Sequence, residues 1–188
     1  MNIALYGGTF DPVHHGHLIL AREAKEKLAL DRVVFVPAAQ SPFKPGIVSA
    51  PPEVRVAMLR AAIEGEDDFD VDPSEVERGG TSYTIDTVVA ARARWPEAAL
   101  FWFIGRDHIP ELEKWRRYQE LRELVQFVVF ARGGQDDGGR GFPTISREVN
   151  ISATDIRGRV ARGHSIRYLV PESVRALIEQ HGLYRHSH

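Results

Sequence analysis

Short unbroken apolar runs alternate along this chain with longer segments in which apolar residues return every third or fourth position. The runs Ile3 to Tyr6, Arg32 to Pro37, Leu100 to Gly105 and Phe127 to Ala131 have the length and the β-branched and aromatic content of buried strands. After Gly16, Leu18, Leu20, Ala21, Ala24, Leu28 and Leu30 recur at roughly helical spacing, and Val54, Ala57, Met58, Ala61 and Ala62 do so between Glu53 and Ile63. Further helices are predicted from Ser82-Tyr83-Thr84 to about Trp95, where Pro96 ends the pattern, over Ser152 to Arg162, and from Pro171 to His181. Phe69 to Asp72 and Glu75 to Arg78 read as short strands bounded by Pro73 and Gly79-Gly80. Strands alternating with helices predict an α/β fold with a single-domain doubly wound parallel sheet, whose first strand-helix-strand unit crosses over right-handed.

Composition narrows the function classes more than it changes the fold. At 188 residues the chain suits one domain, and no internal repeat suggests otherwise. The formal charge of -2 excludes a general nucleic-acid footprint, although residues 140–188 carry eight Arg against four Asp and Glu. Positive charge gathered there suits a polyphosphate better than a duplex. With no cysteine, disulfides, thiolate chemistry and sulfur-based zinc sites are excluded. Neither a basic-then-apolar leader nor a long apolar span precedes the first strand, so a cytoplasmic protein without membrane partners is expected. Residues 133–141 are low-complexity and read as a flexible surface loop, and residues 38–52 form a proline-rich loop that carries Lys44.

The most informative stretch is Gly7-Gly8-Thr9-Phe10-Asp11-Pro12-Val13-His14-His15-Gly16-His17, directly after the first apolar run. Gly7-Gly8 lets the backbone approach a ligand closely, Asp11-Pro12 turns the chain, and a helix N-terminus then opens beside that turn with free N–H groups. An anion is the natural occupant. His14 and His17 are three apart with a glycine between them, so both imidazoles can reach the same anion. A metal site or plain surface histidines compete with this reading, as an ordinary tight turn does for the two glycines.

Gly-Gly-Thr-Phe-Asp-Pro-x-His-x-Gly-His resembles the first signature of the nucleotidylyltransferase superfamily, and Ile151-Ser152-Ala153-Thr154-Asp155-Ile156-Arg157 resembles its second, usually Ile-Ser-Ser-Thr-x-Ile-Arg. Their order and separation are similar to those of bacterial nicotinate-mononucleotide adenylyltransferases. The resemblance implies a Rossmann-like fold and transfer of AMP from ATP to the 5′-phosphate of nicotinate mononucleotide, in NAD biosynthesis. It implies that Gly7, Gly8, Thr9 and Phe10 line the ATP site, that His14 and His17 donate to the triphosphate, and that Lys44 reaches phosphate from its loop. Arg157 with Ser152 and Thr154 would hold the β- and γ-phosphates, and Gly105 with Asp107 the adenosine ribose. Asp107 reads equally as a helix N-cap. Ser82, Tyr83 and Thr84 would receive the pyridine carboxylate, with Trp115 as a stacking face or an amphipathic lid over the core. Mg²⁺ would arrive mainly chelated by the nucleotide, since no carboxylate cluster suggests a protein site. Two departures from the pattern are Ala153, which removes one candidate phosphate donor, and Phe43 before Lys44, where histidine is frequent. The rival readings are phosphopantetheine adenylyltransferase, which usually has threonine at the position of His14, and a regulatory module that binds ATP without turnover. A homo-oligomer is compatible with the sequence, which sets no oligomeric state.

Overall fold

A computed structural model of the chain describes residues 1–40, 50–131 and 141–185. Six parallel strands, β1 (Asn2–Gly8), β2 (Arg32–Pro37), β3 (Phe69–Val71), β4 (Ala99–Gly105), β5 (Gln126–Ala131) and β6 (Thr144–Ser146), form one sheet in the order β3-β2-β1-β4-β5-β6. The order reverses between β1 and β4. Crossovers on either side of that point run to opposite faces and leave a crevice at the C-terminal strand ends, where open α/β sheets hold ligands.

Successive strand residues point to opposite faces, so a sheet covered on both sides needs apolar residues at every position. Ala4, Tyr6, Val33, Phe35, Phe103, Val128 and Phe130 enter one core with residues of α1 (His15–Lys27), α2 (Pro52–Ala62), α6 (Ala153–Ala161) and α7 (Glu172–Gln180). Ile3, Leu5, Val34, Val36, Trp102, Ile104, Phe127 and Val129 enter the other. There they meet α4 (Thr84–Arg94), a 3₁₀ segment (Arg106–Lys114) and α5 (Tyr118–Leu124). No helix among the described residues is long and apolar enough to cross a membrane.

Glu75 to Arg78 is a correction. Ser74–Arg78 is a short helix, α3, not a strand. Its alternation of acidic and apolar residues also fits a single helical turn, and Glu75 rather than Val76 is the buried member. The first helix ends at Lys27 instead of running on to Leu30, because Leu28 leaves helical geometry and Ala29 adopts a left-handed φ of 47°. The pattern also left β6, α5 and the 3₁₀ segment unassigned, all of them short.

Candidate functional site

The C-terminal ends of β1 and β4 lie side by side at the reversal of strand order, and each carries glycine there. A Cβ on Gly7 would come within 2.5 Å of the buried Trp102 ring, and one on Gly8 within 3.0 Å of Phe10. Close ring packing therefore requires both glycines. Phe10 turns the chain with a φ of 48°, and its ring is buried beneath His17 with 5.0 Å between ring centroids. Of the residues assigned to ATP, Phe10 thus floors His17 with its side chain and offers a ligand only backbone.

His14 is the extended residue before α1, and its ring is buried, which removes the surface-histidine reading for it. Its ring stacks on that of His17 at 3.7 Å. The His14 N–H donates to His17 Nδ1 at 3.2 Å, which assigns the proton of a neutral His17 to Nε2. Burial first, and the neighbouring His14 second, hold the His17 pKa well below the usual imidazole value. A neutral donor with a fixed tautomer results. A Cβ on Gly16 would lie 2.9 Å from the His14 ring, so the glycine makes room for that stack. Among the described residues, no three His, Cys, Asp or Glu are grouped as metal ligands.

The second signature folds against the first. Ser152 caps α6 by accepting from the Asp155 N–H at 3.1 Å. Arg157 donates through Nη1 to the Asp11 carbonyl at 2.7 Å and through Nη2 to Thr154 Oγ1 at 3.3 Å. Asp11 is itself buried, accepting at Oδ1 from the Ala50 N–H at 3.0 Å and from the Tyr184 hydroxyl at 2.6 Å. Behind the turn, fully buried Arg55 donates to the carbonyls of Thr9 (2.7 Å), Ala39 (3.2 Å) and Ala50 (3.3 Å). Burial draws its pKa down, and the charge of Asp11 opposes the shift. One guanidinium thereby ties the glycine turn to the residues on either side of 41–49. Lys44 and Phe43 fall in that segment, outside the described residues.

On the other face of the sheet, Ser82 precedes α4, with its N–H donating to the Gln40 carbonyl at 3.1 Å and its Oγ accepting from the Ala39 N–H at 3.0 Å. The Ser82 hydroxyl donates onward to Glu75, which also accepts from Thr87 Oγ1. Burial raises the Glu75 pKa, and those two hydrogen bonds pull it back. Tyr83 is the residue before α4, so the first backbone donors of that helix lie at Tyr83 and Thr84. The Arg116 guanidinium sits 4.8 Å over the Tyr83 ring and 3.8 Å from Asp86. This contact draws the Trp115 segment to the start of α4. Trp115 itself packs edge-on to Phe127 and His108 over the core, at 6.2 and 6.0 Å, and is half-buried. Asp107 is not an N-cap. Gly105 holds that place, and the exposed Asp107 carboxylate folds back over it at the end of β4.

Residues 5–159 match the family model described as cytidylyltransferase-like. A protein of Opitutus terrae named probable nicotinate-nucleotide adenylyltransferase is 44% identical over 194 residues, covering 100% of both chains. The chain belongs to the nicotinate-nucleotide adenylyltransferase family. A second member, the probable nicotinate-nucleotide adenylyltransferase of Exiguobacterium sibiricum, is 45% identical across 98% of this chain and 99% of its own. The fold of the family extends to a solved Plasmodium falciparum nicotinic acid mononucleotide adenylyltransferase complexed with NaAD. That structure superposes with a TM-score of 0.78 at 17% identity, over 97% of each chain.

Asp11, Arg55, Glu75 and Tyr184 are the site residues that sequence reasoning missed or took only as turn formers. One signal was present. Arg55, between Val54 and Val56, is a charge set inside a largely apolar helical window, and a buried charge in such a place organises polar backbone around it, whereas Glu75 lies in a polar stretch that gives no such signal.

Proposed function

We propose that this protein transfers the AMP moiety of ATP to nicotinate mononucleotide, releasing pyrophosphate and forming nicotinate adenine dinucleotide. The observation that carries this reading is the convergence of His14 and His17, stacked on each other, and of Arg157, held by the Asp11 carbonyl, on the glycine turn of a chain of this family. In the transfer a 5′-phosphate oxygen of the mononucleotide attacks the α-phosphorus of ATP, the α–β P–O bond breaks, and its electrons leave with pyrophosphate. Both partners are anions, so positioning and charge stabilisation matter more than a covalent nucleophile. His17 Nε2–H and the His14 imidazole supply fixed donors where charge grows on the transferring phosphoryl group, while Arg157, with Ser152 and Thr154, holds the β- and γ-phosphates. Gly7, Gly8, Thr9 and Phe10 line the nucleotide with backbone, and Gly105 with Asp107 receives the ribose.

The donor set fits an acceptor that brings its own carboxylate to Tyr83 and Thr84 N–H, with Lys44 on its phosphate and Trp115 beside its ring. Mg²⁺ fits this site as a passenger on the triphosphate, because the phosphate-facing groups are cations and neutral donors; when bound it neutralises phosphate charge. The chain is read as one domain acting in the cytoplasm on small-molecule substrates, without nucleic-acid or membrane partners. Pyrophosphate release from ATP, measured with nicotinate mononucleotide, its amide and phosphopantetheine in turn, tests the reading. Turnover with the first is expected. Turnover only with phosphopantetheine, or ATP binding without turnover with any acceptor, would overturn it.

A further inference from the structure

Asp11 is an acid buried in a site built for phosphates, 3% exposed. Such a carboxylate repels the ligand unless neighbours take up its charge and fix where each oxygen points. Its two oxygens are treated differently. Oδ1 accepts from the Tyr184 hydroxyl at 2.6 Å and the Ala50 N–H at 3.0 Å, whereas Oδ2 lies 3.9 Å from Arg157 Nη1, which already donates to the Asp11 carbonyl at 2.7 Å. Tyr184 reaches this point from 173 residues downstream, with a left-handed φ of 62° that a non-glycine residue adopts only when its surroundings impose it.

We propose that Tyr184 is a positioning residue for the phosphate site, its hydroxyl locking the Asp11 carboxylate away from the Arg157 guanidinium, which the Asp11 carbonyl holds in the plane where it meets phosphate. The inference rests on Arg157 as a phosphate ligand. With Oδ1 engaged by two donors, the carboxylate is kept from swinging round to pair bidentately with Arg157, an arrangement that would compete with phosphate for the same fork. Thr154 Oγ1 holds the other arm of the guanidinium, so its plane is set from both sides. Burial and the charge of Asp11 raise the phenol pKa, so the hydroxyl remains a donor at any pH the enzyme meets.

The test is Tyr184→Phe in the full chain, which keeps the ring and removes the one donor. Calorimetric affinities for pyrophosphate and for AMP are measured in the wild type, in Tyr184→Phe, in Arg157→Ala and in the double variant. Pyrophosphate is expected to bind about three- to tenfold more weakly to Tyr184→Phe, the effect of one hydrogen bond, with AMP unchanged within about twofold. In the Arg157→Ala background the same change is expected to add less than about twofold, since the two residues act as one unit. Equal losses for pyrophosphate and AMP, an unchanged pyrophosphate affinity, or the full loss repeated without Arg157 would each overturn the proposal. Arg157→Ala separates the two levels. If it leaves pyrophosphate binding intact, the phosphate role of Arg157 falls and the proposal with it; if it weakens binding while Tyr184→Phe does not, only the proposal falls. Should Tyr184→Phe fail to fold, fluorotyrosine-labelled protein gives a second readout. Pyrophosphate is expected to shift the Tyr184 fluorine resonance with Arg157 present and not in Arg157→Ala; no shift with Arg157 present contradicts it.

Discussion

Along β1, Ala4 and Tyr6 point to the layer of α1, α2, α6 and α7, while Ile3 and Leu5 point to the layer of α4 and α5. The two layers meet the same row of strand ends by different means. On the first, the groups proposed to face ligand are side chains; His14 and His17 hold each other, but Arg157 and Asp11 are fixed by partners far away in sequence, Arg157 on Asp11 across 146 residues and Asp11 on Tyr184 across 173. On the second, the proposed donors are backbone N–H groups at the start of α4, a turn held by Glu75, Thr87 and Arg116 and by Ser82 on Ala39 and Gln40. Charge stabilisation needs strong donors that do not move, so long-range struts suit it. Reading a small ring substituent needs shape and a helix terminus, which a short local turn supplies.

Arg157→Ala should produce the largest separation between the layers. ATP and pyrophosphate are expected to lose about 2–5 kcal/mol of binding, because truncation leaves a bound phosphate without its charged partner, while AMP is scarcely affected. Calorimetry on the three ligands checks this, and equal losses would erase the distinction drawn for α6. His14→Ala and His17→Ala come next. Each is expected to lower kcat on the order of 10²-fold, with little change in acceptor KM, as when one transition-state donor is removed. A variant with normal kcat and only a raised KM would move that histidine into ground-state binding.

Glu75→Gln sharpens the other side. The acid accepts from both Ser82 and Thr87, and an amide keeps one acceptor oxygen where the carboxylate has two. A rise of about three- to tenfold in mononucleotide KM, with ATP KM unchanged, is expected from that mismatch. The same residue and His17 should answer acid in opposite directions. Because the folded state holds His17 neutral, the unfolded chain binds the extra proton, and His17 subtracts stability as pH falls below its ordinary 6.5. Glu75 has a raised pKa, so the folded state binds protons more tightly, and its contribution declines as pH rises above the ordinary 4.5. Thermal melts of His17→Gln and Glu75→Gln against the wild type, across that range, should each remove one of these slopes and leave the other.

The two motifs that meet at the glycine turn were legible in the sequence, the first because its spacing implies a turn beside a helix and the second through its resemblance to a family signature. What spacing could not reveal is which residues hold those groups still. Asp11 read as a turn former because nothing in its neighbourhood announces Ala50 or Tyr184, and Arg55 read as an ordinary position on α2 although it ties three loop carbonyls together. The four core strands were legible through unbroken apolar runs, since a parallel sheet covered on both faces needs them. Glu75 to Arg78 was misassigned because four residues of alternating character satisfy a strand and a helical turn equally, and tertiary burial of Glu75 decided the matter. Trp115 shows the remaining gap. Its ring packs on the core while the residue stays half-buried, so a smaller and equal weakening of both pyridine substrates is expected for Trp115→Ala, of about 0.5–1.5 kcal/mol beyond lost area.

The measurement that bears most directly on the division between the layers is kcat/KM for nicotinate mononucleotide and for its amide, with ATP saturating, on the wild type and on Tyr83→Phe. An anion at the start of α4 gains up to ~2 kcal/mol from the helix terminus, and an amide there mismatches one hydrogen bond at about 1–3 kcal/mol. Together these set an expected preference for the acid of roughly two to three orders of magnitude. Backbone donors carry it, so Tyr83→Phe, which keeps the ring under Arg116, should leave the ratio intact. Equal efficiency with acid and amide on the wild type would contradict the carboxylate site at Tyr83 and Thr84, and a ratio that collapsed in Tyr83→Phe would transfer the discrimination from backbone to side chain.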